Sequence, residues 1–295
     1  MFWMKFKPIY FLISAVFLSL SAYSILTFGF KYSIDFTGGS VVEYQFESKT
    51  TPELVETIVA VKAKDYEVKE AIRVTDNNVQ LRFSPDFTQN DAEALSLNIA
   101  SSTNEKPEVV RFETVGPTLS QEILQKTYIA VALASLAILL WVAMQFKSIK
   151  LGILGLLAVV HDLVILLGVF AYLGYSQGIE VDILVVTAML TIFALSLYDT
   201  IVVYDRIRES KRKLGDVPTE VIANRAVSET VVRSLNTSIT TSLVLFALFL
   251  MGGASIKWFA LALLVGIVSG TYSSLFVAVP LLVVWDQVRS KFFKR

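Results

Sequence analysis

The sequence predicts an α-helical membrane protein: a six-helix transmembrane bundle with a small α+β domain inserted after the first helix. Three observations predict it. Hydrophobic residues are 54% of the chain and charged residues 18%, against about 45–50% and about 25% in ordinary soluble domains. Six apolar runs reach the roughly 20 residues that a helix needs to cross a hydrocarbon core of ~30 Å. The charges are segregated, gathering between Tyr32 and Gln125, in Asp205–Arg233 and at the two ends.

The runs are Pro8–Phe30, Ile123–Phe146, Leu151–Gly174, Val181–Tyr204, Val231–Met251 and Trp258–Trp285. The first also has the outline of a secretory signal, because Lys5 and Lys7 precede an apolar core and Ser19-Leu20-Ser21 is weakly cleavage-like. Its apolar character continues to Phe28, which suits an uncleaved span better. Orientation follows from the basic residues of the short loops. Lys5, Lys7, Lys147 and Lys150 lie on one side with Arg206, Arg208, Lys211–Lys213, Arg289, Lys291, Lys294 and Arg295. On the other side Tyr175–Glu180 has no basic residue and Gly252–Lys257 has only Lys257. Both termini are expected in the cytoplasm and the inserted segment in the periplasm. The domains are then 1–30, a first transmembrane helix; 31–121, a periplasmic domain; 122–285, helices two to six; and 286–295, a cytoplasmic tail.

In the inserted segment, Ser40–Phe46 is β-branched and aromatic, a strand. Thr51 and Pro52 open a helix to about Lys64. Ala71–Thr75 and Val79–Phe83 flank Asp76-Asn77-Asn78 as a hairpin. Thr88–Ser101 reads as a second helix and Glu108–Thr114 as a last strand. The order β-α-β-β-α-β is that of a split βαβ, ferredoxin-like domain.

Absences narrow the chemistry. The chain has no Cys and one His, His161, so thiolate sites are excluded and histidine metal or triad chemistry has little scope. No catalytic residue, metal or cofactor is expected. Gly-x-Ser-x-Gly and His-Glu-x-x-His are both missing, which disfavours an intramembrane hydrolase. No basic patch interleaved with aromatics points to nucleic acid.

An ionisable residue inside a span costs about 2.5–3.5 kcal/mol on insertion scales, so each is a candidate for function. Asp162 lies near the middle of span three beside His161. Asp199 falls in the last third of span four, and Arg233 one or two turns into span five. At 1.5 Å per residue the last two sit at similar depth, and opposite charges on consecutive helices can pair. The alternative is that each reaches the headgroups, which Arg233 does more easily than the short Asp199. Thr187, Thr191 and Asp199 share one stripe of span four, with Ser196 close by. Arg233, Asn236, Thr237, Thr240 and Thr241 recur at three- and four-residue spacing on span five. With the charges, these stripes read as a lined proton path; without them, as helix-packing glue. Adjacent residues on a helix point about 100° apart, so His161 and Asp162 do not face one site squarely. A buried hydrogen-bonding role for them stands beside proton transfer. Gly266-x-x-x-Gly270 is a close-packing signal. Asp35-Phe36-Thr37-Gly38-Gly39 follows span one directly, and its glycines permit a tight reversal into the first strand.

These stretches resemble the SecD/SecF family of protein-export membrane proteins, in the SecF half, within the resistance-nodulation-division superfamily. The resemblance rests on Asp35–Gly39 after the first span, Val115-Gly116-Pro117 before the second and His161-Asp162. It rests most specifically on Asp199-Thr200-Ile201-Val202-Val203-Tyr204-Asp205-Arg206-Ile207-Arg208-Glu209, and also on Arg233–Thr241 with Gly252-Gly253. One departure is Tyr198, where the family often carries Asn immediately before the aspartate. The resemblance implies an auxiliary subunit of the Sec translocase in the bacterial inner membrane. It implies SecD and the SecYEG channel as partners, a translocating unfolded polypeptide as cargo, and use of the proton-motive force. It places Asp199 and Arg233 at the proton-conducting positions, with Thr191, Thr237 and Asp162 beside them and Asp35–Gly39 as a junction motif. A small-molecule half-exporter of the same superfamily, or a scaffold without motor function, are the competing readings. The first lacks room for the two large porter domains such pumps carry, and the second has no need of Asp199 and Arg233.

Overall fold

A backbone with no water around it must satisfy its own hydrogen bonds, and each of the six apolar runs does so as a helix. The computed structural model describes residues 2–62, 68–103, 105–215 and 217–292. In chain order the elements are α1 (Lys7–Phe28), α2 (Ile34–Thr37), β1 (Gly39–Gln45), α3 (Pro52–Lys62), β2 (Glu70–Arg73), β3 (Asn78–Phe83), α4 (Gln89–Thr103) and β4 (Glu108–Val115). Then follow α5 (Pro117–Phe146), α6 (Ile149–Gln177), α7 (Ile183–Leu214), α8 (Thr219–Met251), α9 (Ala254–Ser273) and α10 (Val279–Phe292). The chain divides into two compact units, Met1–Lys31 with Ile129–Arg295, and Tyr32–Tyr128.

Among the described residues, six helices are long and apolar enough to cross a membrane, the last combining α9 and α10. A π-helical turn, Ser274–Ala278, joins those two. Pro280 is the cause: it lacks the N–H that would bond the carbonyl of Phe276, four residues back, and its ring pushes that carbonyl aside. α7 and α8 run well past the apolar stretches, to Leu214 and from Thr219. Their extensions are rich in i,i+4 and i,i+3 ion pairs, Glu209–Lys213 at 2.6 Å, Arg225–Glu229 at 3.0 Å and Asp205–Arg208 at 3.3 Å, which support helix in water. The expected close packing at Gly266 and Gly270 is present. A Cβ on Gly266 would lie 2.1 Å from the Ile192 side chain, and one on Gly270 3.1 Å from Ser196. These glycines let α9 approach α7, as small residues do where lipid supplies no hydrophobic drive between helices. Gly168 does the same for α6 against Ser21 of α1, at 2.3 Å.

The second unit has a four-stranded antiparallel sheet in the order β2-β3-β1-β4, the expected split βαβ topology. Val42, Tyr44, Leu81, Phe83, Leu95 and Ile99 form its core, and the alternating burial of β3 reflects the two-residue period of a strand. Tyr44 donates its hydroxyl to the Ala92 carbonyl at 2.8 Å, pinning α4. β2 ends at Arg73 rather than Thr75, because Thr75 is engaged in the turn and Asp76 by the segment before α3. Thr75 Oγ1 accepts from the Asn78 N–H at 3.1 Å, and the Asp76 carbonyl from the Thr50 N–H at 2.7 Å. Hydrogen bonds from Lys49 and Arg73 hold the exposed Asp76 carboxyl below the usual carboxylate range. The expected end of α3 at Lys64 lies outside the described residues.

Candidate functional site

The Asp199 carboxylate, on α7, is half-buried, and among the described residues no hydrogen bond or ion pair engages it. Arg233, on α8, is the cation that bears on it electrostatically. Arg233 reaches the level of Asp199 on α7, but no ion pair joins the two among the described residues. Arg233 Nη2 donates instead to the hydroxyl of Tyr198, the residue before Asp199, at 3.4 Å.

The two threonine stripes lie on exposed faces of α7 and α8. Their hydroxyls are spent on their own helices. Thr187 donates to the Ile183 carbonyl and Thr191 to that of Thr187, both at 2.8 Å, and Thr237 to that of Arg233 at 3.1 Å. Their lone pairs remain available, so the face can accept hydrogen bonds from water or from another helix. Past Arg233, in the direction of Thr219, α7 and α8 are joined by Arg206, which binds both Glu229 and Glu209.

Asp162 sits elsewhere. It is fully buried on α6, and all four acceptor positions of its carboxylate are filled. Oδ2 accepts from Ser196 of α7 at 2.6 Å and Ser273 of α9 at 2.7 Å. Oδ1 accepts from Ser269 of α9 at 2.7 Å and lies 3.0 Å from His161 Nδ1. The two adjacent side chains thus meet in a contact shielded from solvent. His161 Nε2 is buried and has no hydrogen-bond partner among the described residues. Ser196 is turned into the bundle and Asp199, three residues on, toward its edge. The structure thus separates Asp162 from the Asp199–Arg233 pair by about one helical turn along α7. Ser269 and Ser273 do not stand out in the sequence by charge or motif. Their four-residue spacing, which sets them on one face of α9, is the signal that marks them.

The junction motif is a single helical turn closed at both ends. Ser33 caps it by accepting from the Asp35 N–H at 3.2 Å, and Thr37 returns its hydroxyl to the Ser33 carbonyl at 3.0 Å. Gly38 and Gly39 follow at φ 70° and 131°, conformations that other residues adopt only with strain. A Cβ on Gly39 would also lie 2.8 Å from the Phe83 carbonyl oxygen.

Residues 96–288 match the family model described as protein export membrane protein SecD/SecF, C-terminal. The chain belongs to the SecD/SecF family. Residues 23–50, which contain the junction motif, match the GG motif of that family. A protein translocase subunit SecF from Thermobaculum terrenum is 38% identical over 96% of this chain and 93% of its own length. One from Vibrio alginolyticus is 37% identical over 93% of this chain and 86% of its own. The crystal structure of SecDF from Thermus thermophilus, a translocon-associated membrane protein, superposes with a TM-score of 0.84 at 33% identity. That match covers 96% of this chain and 38% of the SecDF chain. Like those SecD/SecF proteins, the chain is a multi-pass membrane protein.

Proposed function

We propose that the chain is an auxiliary subunit of the Sec translocase that uses the proton-motive force, together with a SecD-type half, to promote export of unfolded polypeptides through SecYEG. The observation that carries this reading is the polar, charged face of α7 and α8. Asp199, Arg233, Thr191 and Thr237 line it, and it is open on this chain. Such a face at membrane depth is costly against lipid and calls for a second helical half across from it. The SecDF relative, in which this chain's counterpart makes up 38% of a longer polypeptide, supports the same reading. Asp199 takes the proton and its charge state governs Arg233, while α7 and α8 shift in response. A proton crossing the full field releases about 2.3 kcal/mol per 100 mV, which biases a two-state bundle by well over tenfold. Movement then passes through the Asp35–Gly39 junction to the domain on the outer side. Asp162 clamps α6, α7 and α9 together so that the moving elements have a fixed frame.

The tagged full-length chain is expected to co-purify with a second chain carrying six spans. A monomer that is fully active in reconstituted membranes would refute the need for a partner. Orientation is tested separately. Reporter tags at residues 1 and 295 and within Ser210–Gly215 should read as cytoplasmic, and tags near Asn77 and Gln177 as external. An external C-terminus breaks the proposed topology.

A further inference from the structure

The geometry points to Tyr198 as a positioning residue: its hydroxyl holds the Arg233 guanidinium off Asp199, and so sets how acidic the outer compartment must be before Asp199 takes a proton. This rests on the proton-conducting role proposed for Asp199.

The hydrogen bond from Arg233 Nη2 to the Tyr198 hydroxyl is 3.4 Å long, at the weak end of the range. That suits a hold that has to be released. The charged groups nearest the pair, and those on the other helices packed against α7 and α8 that are named below, are already engaged. Glu229 lies one turn from Arg233 on α8, near enough for an i,i+4 pair. It is bound on one side by Arg206 and on the other by Arg225, at 3.0 Å. Arg206 also binds Glu209, which is paired to Lys213 at 2.6 Å, and Arg208 is paired to Asp205 at 3.3 Å. From α6, Asp162 lies against His161 and accepts from Ser196 in the interior. α9 brings Lys257, which stands over the rings of Phe249 and Trp258. α10 brings Asp286, paired to Lys150 at 2.5 Å. Asp199 is therefore the carboxylate left to Arg233, and the Tyr198 hydroxyl is the neutral group that competes for the same guanidinium.

The consequence has a definite sign. A guanidinium resting on a carboxylate favours its ionised form and makes protonation harder. Holding the guanidinium away keeps Asp199 ready for a proton at milder acidity. Tyr198→Phe removes the hydroxyl and leaves the ring. The ring and its packing are kept, so the change should leave folding and complex levels as they are. Freed from the hydroxyl, Arg233 falls onto Asp199.

The test measures export into inverted membrane vesicles carrying the full chain and its partner, as a function of lumenal pH and normalised to the amount of complex. Tyr198→Phe should move the half-maximal lumenal pH of the gradient response about one unit toward acid, the low end of the effect of a neighbouring arginine. At a fixed lumenal pH above the midpoint, the gradient-stimulated part falls about tenfold. A Tyr198→Phe profile that superimposes on the wild type overturns the inference, as does an equal loss at every pH. Asp199→Asn is measured alongside. If it still responds to the gradient, the proton reading itself fails. If it is inert while Tyr198→Phe matches the wild type, only the role of Tyr198 falls.

Discussion

In inverted membrane vesicles, the Asp199→Asn chain is expected to lose the gradient-driven part of polypeptide export entirely while reaching wild-type levels in the complex. Asp199 is half-buried on α7, and its carboxylate makes no hydrogen bond or ion pair among the described residues. An amide of the same size therefore disturbs no partner, and the expected cost in stability is below about 1 kcal/mol. What the amide cannot do is titrate. Without a change of charge there is nothing for Arg233 to respond to, and the roughly 2.3 kcal/mol available per 100 mV is not coupled to movement of α7 and α8. Basal export, driven without the gradient, should continue. The measurement is export with and without a proton gradient at matched complex levels. A variant that still accelerates when the gradient is applied removes Asp199 from the mechanism and strengthens the reading of the chain as a scaffold.

The elements that the sequence made plain are those governed by a single strong physical effect. Six apolar runs in lipid have no alternative to helix, and the alternating burial of Asn78–Phe83 is written directly in its residues. Gly266 and Gly270 announced a close approach, and it is there. Illegible features depend on which of several reachable partners a side chain takes. That Arg233 comes to the level of Asp199 and Tyr198 follows from counting residues at 1.5 Å each. That Arg233 would bond Tyr198 does not, because a long flexible side chain reaches several acceptors from one Cα. The serine cage of Asp162 was hidden for a related reason. Ser196 was visible beside the polar stripe, but Ser269 and Ser273 come from a helix whose rotation is set by packing at Gly266 and Gly270. Hydropathy does not mark the helical extensions to Leu214 and from Thr219, because it senses membrane and not helix, and those turns are held by ion pairs.

Asp162 separates a clamp from a carrier, and two substitutions divide the roles. Asp162→Leu removes a carboxylate that accepts from Ser196, Ser269 and Ser273 and contacts His161. It leaves those groups facing an apolar side chain inside the bundle, and breaking a buried arrangement of this kind costs about 3–5 kcal/mol. The chain should then fail to accumulate, or reach the membrane only as a protease-sensitive species. Asp162→Asn is milder. The carboxamide oxygen still accepts two hydroxyls, and a serine hydroxyl that faces the amide nitrogen can rotate and accept in turn. Loss of the charge weakens the remaining bonds by about 1–2 kcal/mol in total, so the variant should fold, assemble and keep its response to the gradient. Protein level, protease resistance and gradient-stimulated export are read on the same membranes. If Asp162→Asn assembles normally but is as unresponsive as Asp199→Asn, Asp162 lies on the proton path rather than in the frame. In that case Ser196, bonded to Asp162 and one turn from Asp199 on α7, becomes the step that joins the two carboxylates.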